Sequence, residues 1–119
     1  MRLRFPKSAR LSHATEFQRM RREGAAFHGK FMLLSVLRRE PSSATRVGFI
    51  TSSRVGGAVE RNRVRRRLRE IVRVALPRLQ CGAWLVIVAR HRAVEATFAE
   101  LRTEWETLEG RAAAHLSKA

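Results

Sequence analysis

Apolar and polar positions alternate along this chain in two different rhythms, and the rhythm changes mark its elements. Around residues 31–37 the alternation has a period of two, with Phe31, Leu33, Ser35 and Leu37 on one face and Met32, Leu34 and Val36 on the other. That pattern predicts a strand from about Lys30 to Arg39. Pro41, Ser42 and Ser43 then signal a turn. A second strand, Arg46 to Ser52, sets Val47 and Phe49 opposite Gly48 and Ile50. After Gly56-Gly57 the rhythm becomes helical. Val64, Leu68, Ile71, Val72 and Ala75 form one stripe of a long helix, about Ala58 to Leu76. Ala83 to Ala89 is a nearly unbroken apolar run, as expected of a central, well-buried strand.

The ends of the chain are thinner in signal. Met1 to Leu11 reads as an extended basic arm, with Pro6 blocking an early helix. Ser12 is placed to cap a first helix that runs to Glu23 and ends at Gly24, with Phe17 and Met20 as its apolar side. A last helix, about Ala96 to Glu109, has Phe98, Leu101, Trp105 and Leu108 as its core face. The tail after Gly110 (111–119) is expected to fray. The order helix, strand, strand, helix, strand, helix predicts a single α+β domain over 1–119, with helices packed on one small sheet.

Charge changes the picture from a fold to a partner. Lys and Arg total 25 against 10 acids, a formal net charge of +15 in 119 residues. Such a domain repels itself and attracts polyanions, with nucleic acid the first candidate and an anionic membrane surface the second. Only Lys7, Lys30 and Lys118 are lysines. Arginine grips phosphate with a planar fork of donors and stacks on bases. Cys81 is the single cysteine, which excludes an intrachain disulfide or a Cys-based zinc site. No apolar run approaches the ~20 residues of a membrane span, and no signal-peptide pattern follows the basic start. The expectation is a soluble cytoplasmic protein with no membrane partner, no bound metal and no small-molecule ligand.

The charge has a direction. At about 100° per residue, Asn62, Arg66, Arg69 and Arg73 fall on one stripe opposite the apolar one. Arg65 flanks that stripe on one side and Arg63 and Arg67 on the other, with Arg61 nearer the apolar boundary. The plainest alternative is a solvated polar face. Yet like charges at i, i+4 oppose helix formation, and Glu60 and Glu70 alone are available in this stretch to offset them. Arg54 and the Gly-Gly turn precede a helix start whose amides favour anions.

Chemistry of the chain's own is poorly supported. Metal-dependent nucleases gather carboxylates, but there is no Asp here, and Glu100 with Glu104 reads as a solvated pair. His13, His28, His91 and His115 are scattered, without a spacing that pairs an acid with a base.

Arg46-Val47-Gly48, Gly57-Ala58-Val59, Arg61-Asn62-Arg63-Val64-Arg65-Arg66 and Leu68-Arg69 together resemble the bacterial ribonuclease P protein family, with its Arg-Asn-Arg helix. Glu16-Phe17, the strand at Phe31 and Val86-Ile87-Val88-Ala89-Arg90 extend the resemblance over most of the chain. It implies a two-layer α/β sandwich with a left-handed βαβ crossover, similar to domain two of a small-subunit ribosomal protein. It also implies a catalytic RNA subunit as partner, precursor tRNA as substrate, and Mg²⁺ acting at the RNA. By position, Arg54, Arg61, Asn62, Arg63, Arg65, Arg66 and Arg69 would contact that RNA. Phe17, Arg21, Leu34 and Arg90 would line a cleft for the 5′ leader. Relatives place more aromatics in the cleft, whereas Arg21 stands one turn after Phe17 here and Leu34 holds a strand position where Tyr can occur. A ribosomal-type structural RNA binder and a DNA-binding domain with the arginine helix in a major groove are the competing readings.

Overall fold

The computed structural model describes residues 7–79 and 82–117. The order is α1 (Ala14–Glu23), β1 (Ala25–His28), β2 (Met32–Arg38), β3 (Arg46–Ile50), α2 (Ala58–Ala75), β4 (Ala83–Ala89) and α3 (Phe98–Ser117). Short 3-10 turns lie at Lys7–Ala9, Leu76–Leu79 and His91–Val94. The fold is α+β as expected, with one strand more than the sequence pattern predicts. The sheet order is β1-β2-β4-β3, antiparallel except for the parallel β3–β4 pair. The connection from β3 to β4 runs through α2, which makes the βαβ crossover.

One face of the sheet carries the main core. Met32, Leu34 and Val36 of β2, with Leu85 and Ile87 of β4, meet Val64, Leu68 and Val72 of α2 and Leu101, Trp105 and Leu108 of α3. Side chains of successive strand residues point to opposite faces, so this set contains every second residue of each strand. Among the described residues the other face is covered by α1 and Leu11, with Met20 buried against Val86. Gly48 makes this close packing possible. A Cβ there would lie 2.7 Å from the Phe17 ring.

The first helix begins at His13, one residue after the expected cap. The Glu16 carboxylate accepts the backbone N–H groups of Ser12 and His13 at 3.2 and 3.1 Å, the reach of an N3 glutamate back to the residues before the helix. Glu16 also accepts the Arg46 guanidinium at 2.5 Å, which in turn donates to the Arg10 carbonyl. Burial pushes the Glu16 carboxyl up, but the donors on His13, Arg46 and Ser12 outweigh it and hold the group below its ordinary value. Arg46 therefore staples α1 and the N-terminal segment onto β3.

Three expectations at the ends are corrected. Arg10 bridges Val47 and Leu11 is buried, so the last part of the expected arm is core; Met1 to Pro6 lie outside the described residues. Helix α3 runs through Gly110 to Ser117, because Ala112 is buried and Leu116 packs on the core. That packing offsets the ~1 kcal/mol helix penalty of Gly110. Phe98 is 37% exposed and belongs to the helix start, where Thr97 and Glu100 exchange backbone-to-side-chain hydrogen bonds.

Candidate nucleic-acid interface

Two surfaces hold most of the residues singled out by the sequence. The first is the outer side of α2, whose inner side is locked by Val64, Leu68, Ile71, Val72 and Ala75. Asn62, Arg66 and Arg69 are exposed there, as the helical spacing requires. Arg65 donates to Thr51 Oγ1 at 2.5 Å and to Asn62 Oδ1 at 3.1 Å, so Asn62 and Arg65 form one fixed unit. On the other flank Arg63 donates to the Val94 carbonyl at 3.4 Å and Arg67 to the Ala96 carbonyl at 3.0 Å. The Nε groups of Arg61 and Arg63 are buried and have no hydrogen-bond partner. Arg69 lies over the Phe49 ring. Its guanidinium is pushed below its ordinary value by burial first, then by the neighbouring Arg10 and Arg65 charges.

Arg73 departs from the expected stripe. Glu70 accepts it through two hydrogen bonds, at 2.7 and 3.2 Å, so its charge is already matched. At the helix start Gly57 is the N-cap, and the Glu60 side chain folds back over the Gly-Gly turn. The turn thus carries its own carboxylate. By contrast, no carboxylate pairs with Arg54, Arg61, Arg63, Arg65, Arg66 or Arg69 among the described residues.

The second surface is a cleft beside α1 on the open face of the sheet. Phe17, Met20, Arg21 and Gly24 form one wall; Leu33, Ser35, Ile50, Val86 and Val88 form the floor. Phe17 and Arg21 stand where the sequence placed them. Leu34 does not. It is 1% exposed and belongs to the opposite core, so its neighbours Leu33 and Ser35 occupy the cleft. A shift of one residue in a strand changes the face, and the period-two pattern already separated Leu34 from Leu33 and Ser35.

Arg90, expected in this cleft, lies outside its lining, in an adjacent basin. There it joins Lys30, Ser52, Arg54, His91 and Arg92, and the basin shares Val88 with the cleft floor. Arg54 and Arg90, assigned to different RNA partners from the sequence, are thereby neighbours. Lys30, His91 and Arg92 carry no site signal in the sequence, because Lys30 and the His91-Arg92 pair come from distant segments joined only by the sheet. Arg90 donates from its backbone to the Phe31 carbonyl at 2.8 Å and from its guanidinium to His28 Nδ1 at 2.9 Å. Among the described residues no group of three His, Cys, Asp or Glu side chains is placed to hold a metal ion, and no helix is long and apolar enough to cross a membrane.

A family model described as Ribonuclease P matches residues 5–113. The ribonuclease P protein component of Symbiobacterium thermophilum is 39% identical over 106 residues, covering 89% of this chain and 92% of the relative. That of Chloroflexus aurantiacus is 40% identical over 99 residues, covering 82% and 73%. Among solved structures, the RNase P protein of Staphylococcus aureus matches with a TM-score of 0.81 at 23% identity, covering 89% of this chain and 96% of that one. The RNase P protein from Thermotoga maritima matches with a TM-score of 0.74 at 22% identity, covering 83% and 93%.

Proposed function

The chain belongs to the ribonuclease P protein family, and its work is tRNA processing; from that premise we propose how its two surfaces divide the task. The outer side of α2 grips the catalytic RNA through Arg61, Asn62, Arg63, Arg65, Arg66 and Arg69. The cleft receives the unpaired 5′ leader of precursor tRNA, with Phe17 as a stacking ring, Arg21 on the wall and Arg90 in the adjoining basin. Arg54 stands in the basin beside Arg90, where the two RNAs would meet. Cleavage of the leader, with Mg²⁺ at the reacting phosphate, belongs to the RNA, and the chain acts as its cytoplasmic cofactor.

The observation that carries this reading is the unmatched guanidinium array on α2. A helix whose outward guanidiniums have no carboxylate partner is stabilised when phosphates supply the counter-charge. Binding of this kind releases counterions, so its affinity falls steeply with salt. The cleft supports the second half. It is apolar on its floor and aromatic on its wall, and it adjoins the cationic basin at Val88, which suits a single strand with stacked bases and trailing phosphates.

The test is reconstitution with a ribonuclease P RNA and precursor tRNA at low Mg²⁺. Added chain is expected to restore leader removal, and chain without RNA is expected to cut nothing. Rescue that fails, together with tight binding to ribosomal RNA, would install the ribosomal reading instead. Robust cleavage by RNA-free chain would overturn the assignment of chemistry to the RNA.

A further inference from the structure

Helix α3 lies on the sheet face opposite the cleft, yet one of its carboxylates reaches the turn between β1 and β2. Glu104 accepts three consecutive backbone N–H groups, those of Lys30, Phe31 and Met32, at 2.5, 2.8 and 2.9 Å. The solvated Glu100–Glu104 pair expected from the sequence is therefore corrected. Glu100 turns to the helix start, and Glu104 is spent on the bend between β1 and β2. The fit is tight, since a Cβ on Gly29 would lie 2.4 Å from the Glu104 carboxyl carbon. Gly29 and Glu104 are 75 residues apart in sequence and form one device.

The bend it holds matters to the cationic basin. Lys30 lines the basin directly. The Phe31 carbonyl accepts the Arg90 N–H at 2.8 Å, at the point where β4 ends and Arg90, His91 and Arg92 emerge. His28, on the near side of the same bend, accepts the Arg90 guanidinium. A run of hydrogen bonds thus leads from Glu104 through the 30–32 backbone to two of the basin's cations. The bend joins β1 to β2 beyond the end of their ladder, and without Glu104 its amides would need water.

We infer that Glu104 is a positioning residue for leader recognition: by clamping the Lys30–Met32 backbone it fixes where Lys30 and Arg90 present their charge to the leader phosphates. The inference rests on the leader reading given above. Glu104 touches no substrate and acts only through the bend. Its removal changes the placement of charge and leaves the net count of basin cations unaltered.

The experiment is a double-mutant cycle on the reconstituted holoenzyme. Glu104→Gln retains one carbonyl oxygen for the three donors and sets an amide NH₂ against one of them. Affinity is measured for precursor tRNA with its leader and for mature tRNA, in the native and the Lys30→Ala/Arg90→Ala backgrounds. The expected result is about a five- to tenfold loss for the leader-bearing substrate, the size of one ordinary hydrogen bond. Little change is expected for mature tRNA, and no further loss in the Lys30→Ala/Arg90→Ala background. Hydrogen exchange at the Lys30, Phe31 and Met32 amides is expected to quicken in the variant while exchange in α2 stays slow. Equal losses on both tRNAs, or the same loss in both backgrounds, would sink the inference and leave the leader reading standing. If Lys30→Ala/Arg90→Ala itself spares leader-bearing substrate, the leader reading falls and the inference falls with it.

Discussion

Helices α2 and α3 pack side by side on the same face of the sheet and use charge in opposite ways. On α3 three of the four carboxylates are consumed inside the fold. Glu100 closes the helix start, Glu104 holds the 30–32 bend, and Glu109 accepts Arg78 at 2.9 Å. On α2 most guanidiniums have no matching anion, and the helix's own acids, Glu60 and Glu70, serve the Gly-Gly turn and Arg73. The lesson is that a charge's role depends on whether the fold already uses it. Arg73 lies on the same stripe as Arg66, yet Glu70 removes it from the set available to a partner.

The comparison can be broken at its base first. Leu68→Ala removes a side chain that is 1% exposed in the core shared by both helices. It is expected to cost about 2–5 kcal/mol in denaturant unfolding. A smaller loss would mean that α2 is not anchored as described. Next is Phe17→Ala, on the opposite face. It is expected to weaken leader-bearing substrate by about 1–3 kcal/mol relative to mature tRNA, the range for one stacked base. Equal losses on both substrates would make Phe17 a packing residue only.

Glu16→Gln comes third. Glu16 is a carboxylate used inside the fold, like those of α3, and it should show in stability. Its loss is expected to cost about 1.5–3 kcal/mol at neutral pH, as for a hydrogen bond to a charged group. The folded carboxyl titrates below its ordinary value, so the stabilisation is complete above the unfolded value of ~4.3 and fades as pH falls through the folded one. Unfolding curves of the native chain should steepen in that acid window relative to Glu16→Gln; parallel curves would refute it.

The smallest effects give the sharpest contrast. Arg66→Ala is expected to change stability by no more than about 0.5 kcal/mol, while the salt dependence of RNA binding loses about one unit of slope. Glu109→Gln is expected to cost about 0.2–1 kcal/mol of stability with no change in slope. Swapped outcomes would abolish the distinction between the two helices.

How much of this was legible in the sequence follows from where the signal resides. Helix α2 and strand β4 were placed almost to the residue, because their patterns are long and continuous. The outward stripe of Asn62, Arg66 and Arg69 follows from spacing alone. Strand β1 was missed, since Ala25–His28 has no alternation of its own and becomes a strand only by pairing with β2. The basin was missed for a similar reason. Lys30, Arg54 and Arg90 meet through a sheet order in which β4 lies between β2 and β3. Leu34 was misplaced by one position although the alternation around it was read correctly. Glu104 looked solvated, because three backbone donors in the turn between β1 and β2 leave no mark on a helix pattern.

That sheet order has a consequence for how the chain is made. Strand β4 comes last among the four strands in the chain and lies between β2 and β3 in the sheet. Until residue 89 has left the ribosome, β3 has no strand partner and β2 has only the short β1. The arginine helix is complete well before then, with no finished sheet to bury its apolar side. The nascent chain thus exposes a fully charged, half-apolar helix in a cell crowded with RNA. Its folding has to wait for long-range pairing, which is slow and prone to wrong association. A ribosome-bound chain stalled shortly before Ala83 is expected to be protease-sensitive throughout, and one stalled with β4 and α3 fully emerged to be protected.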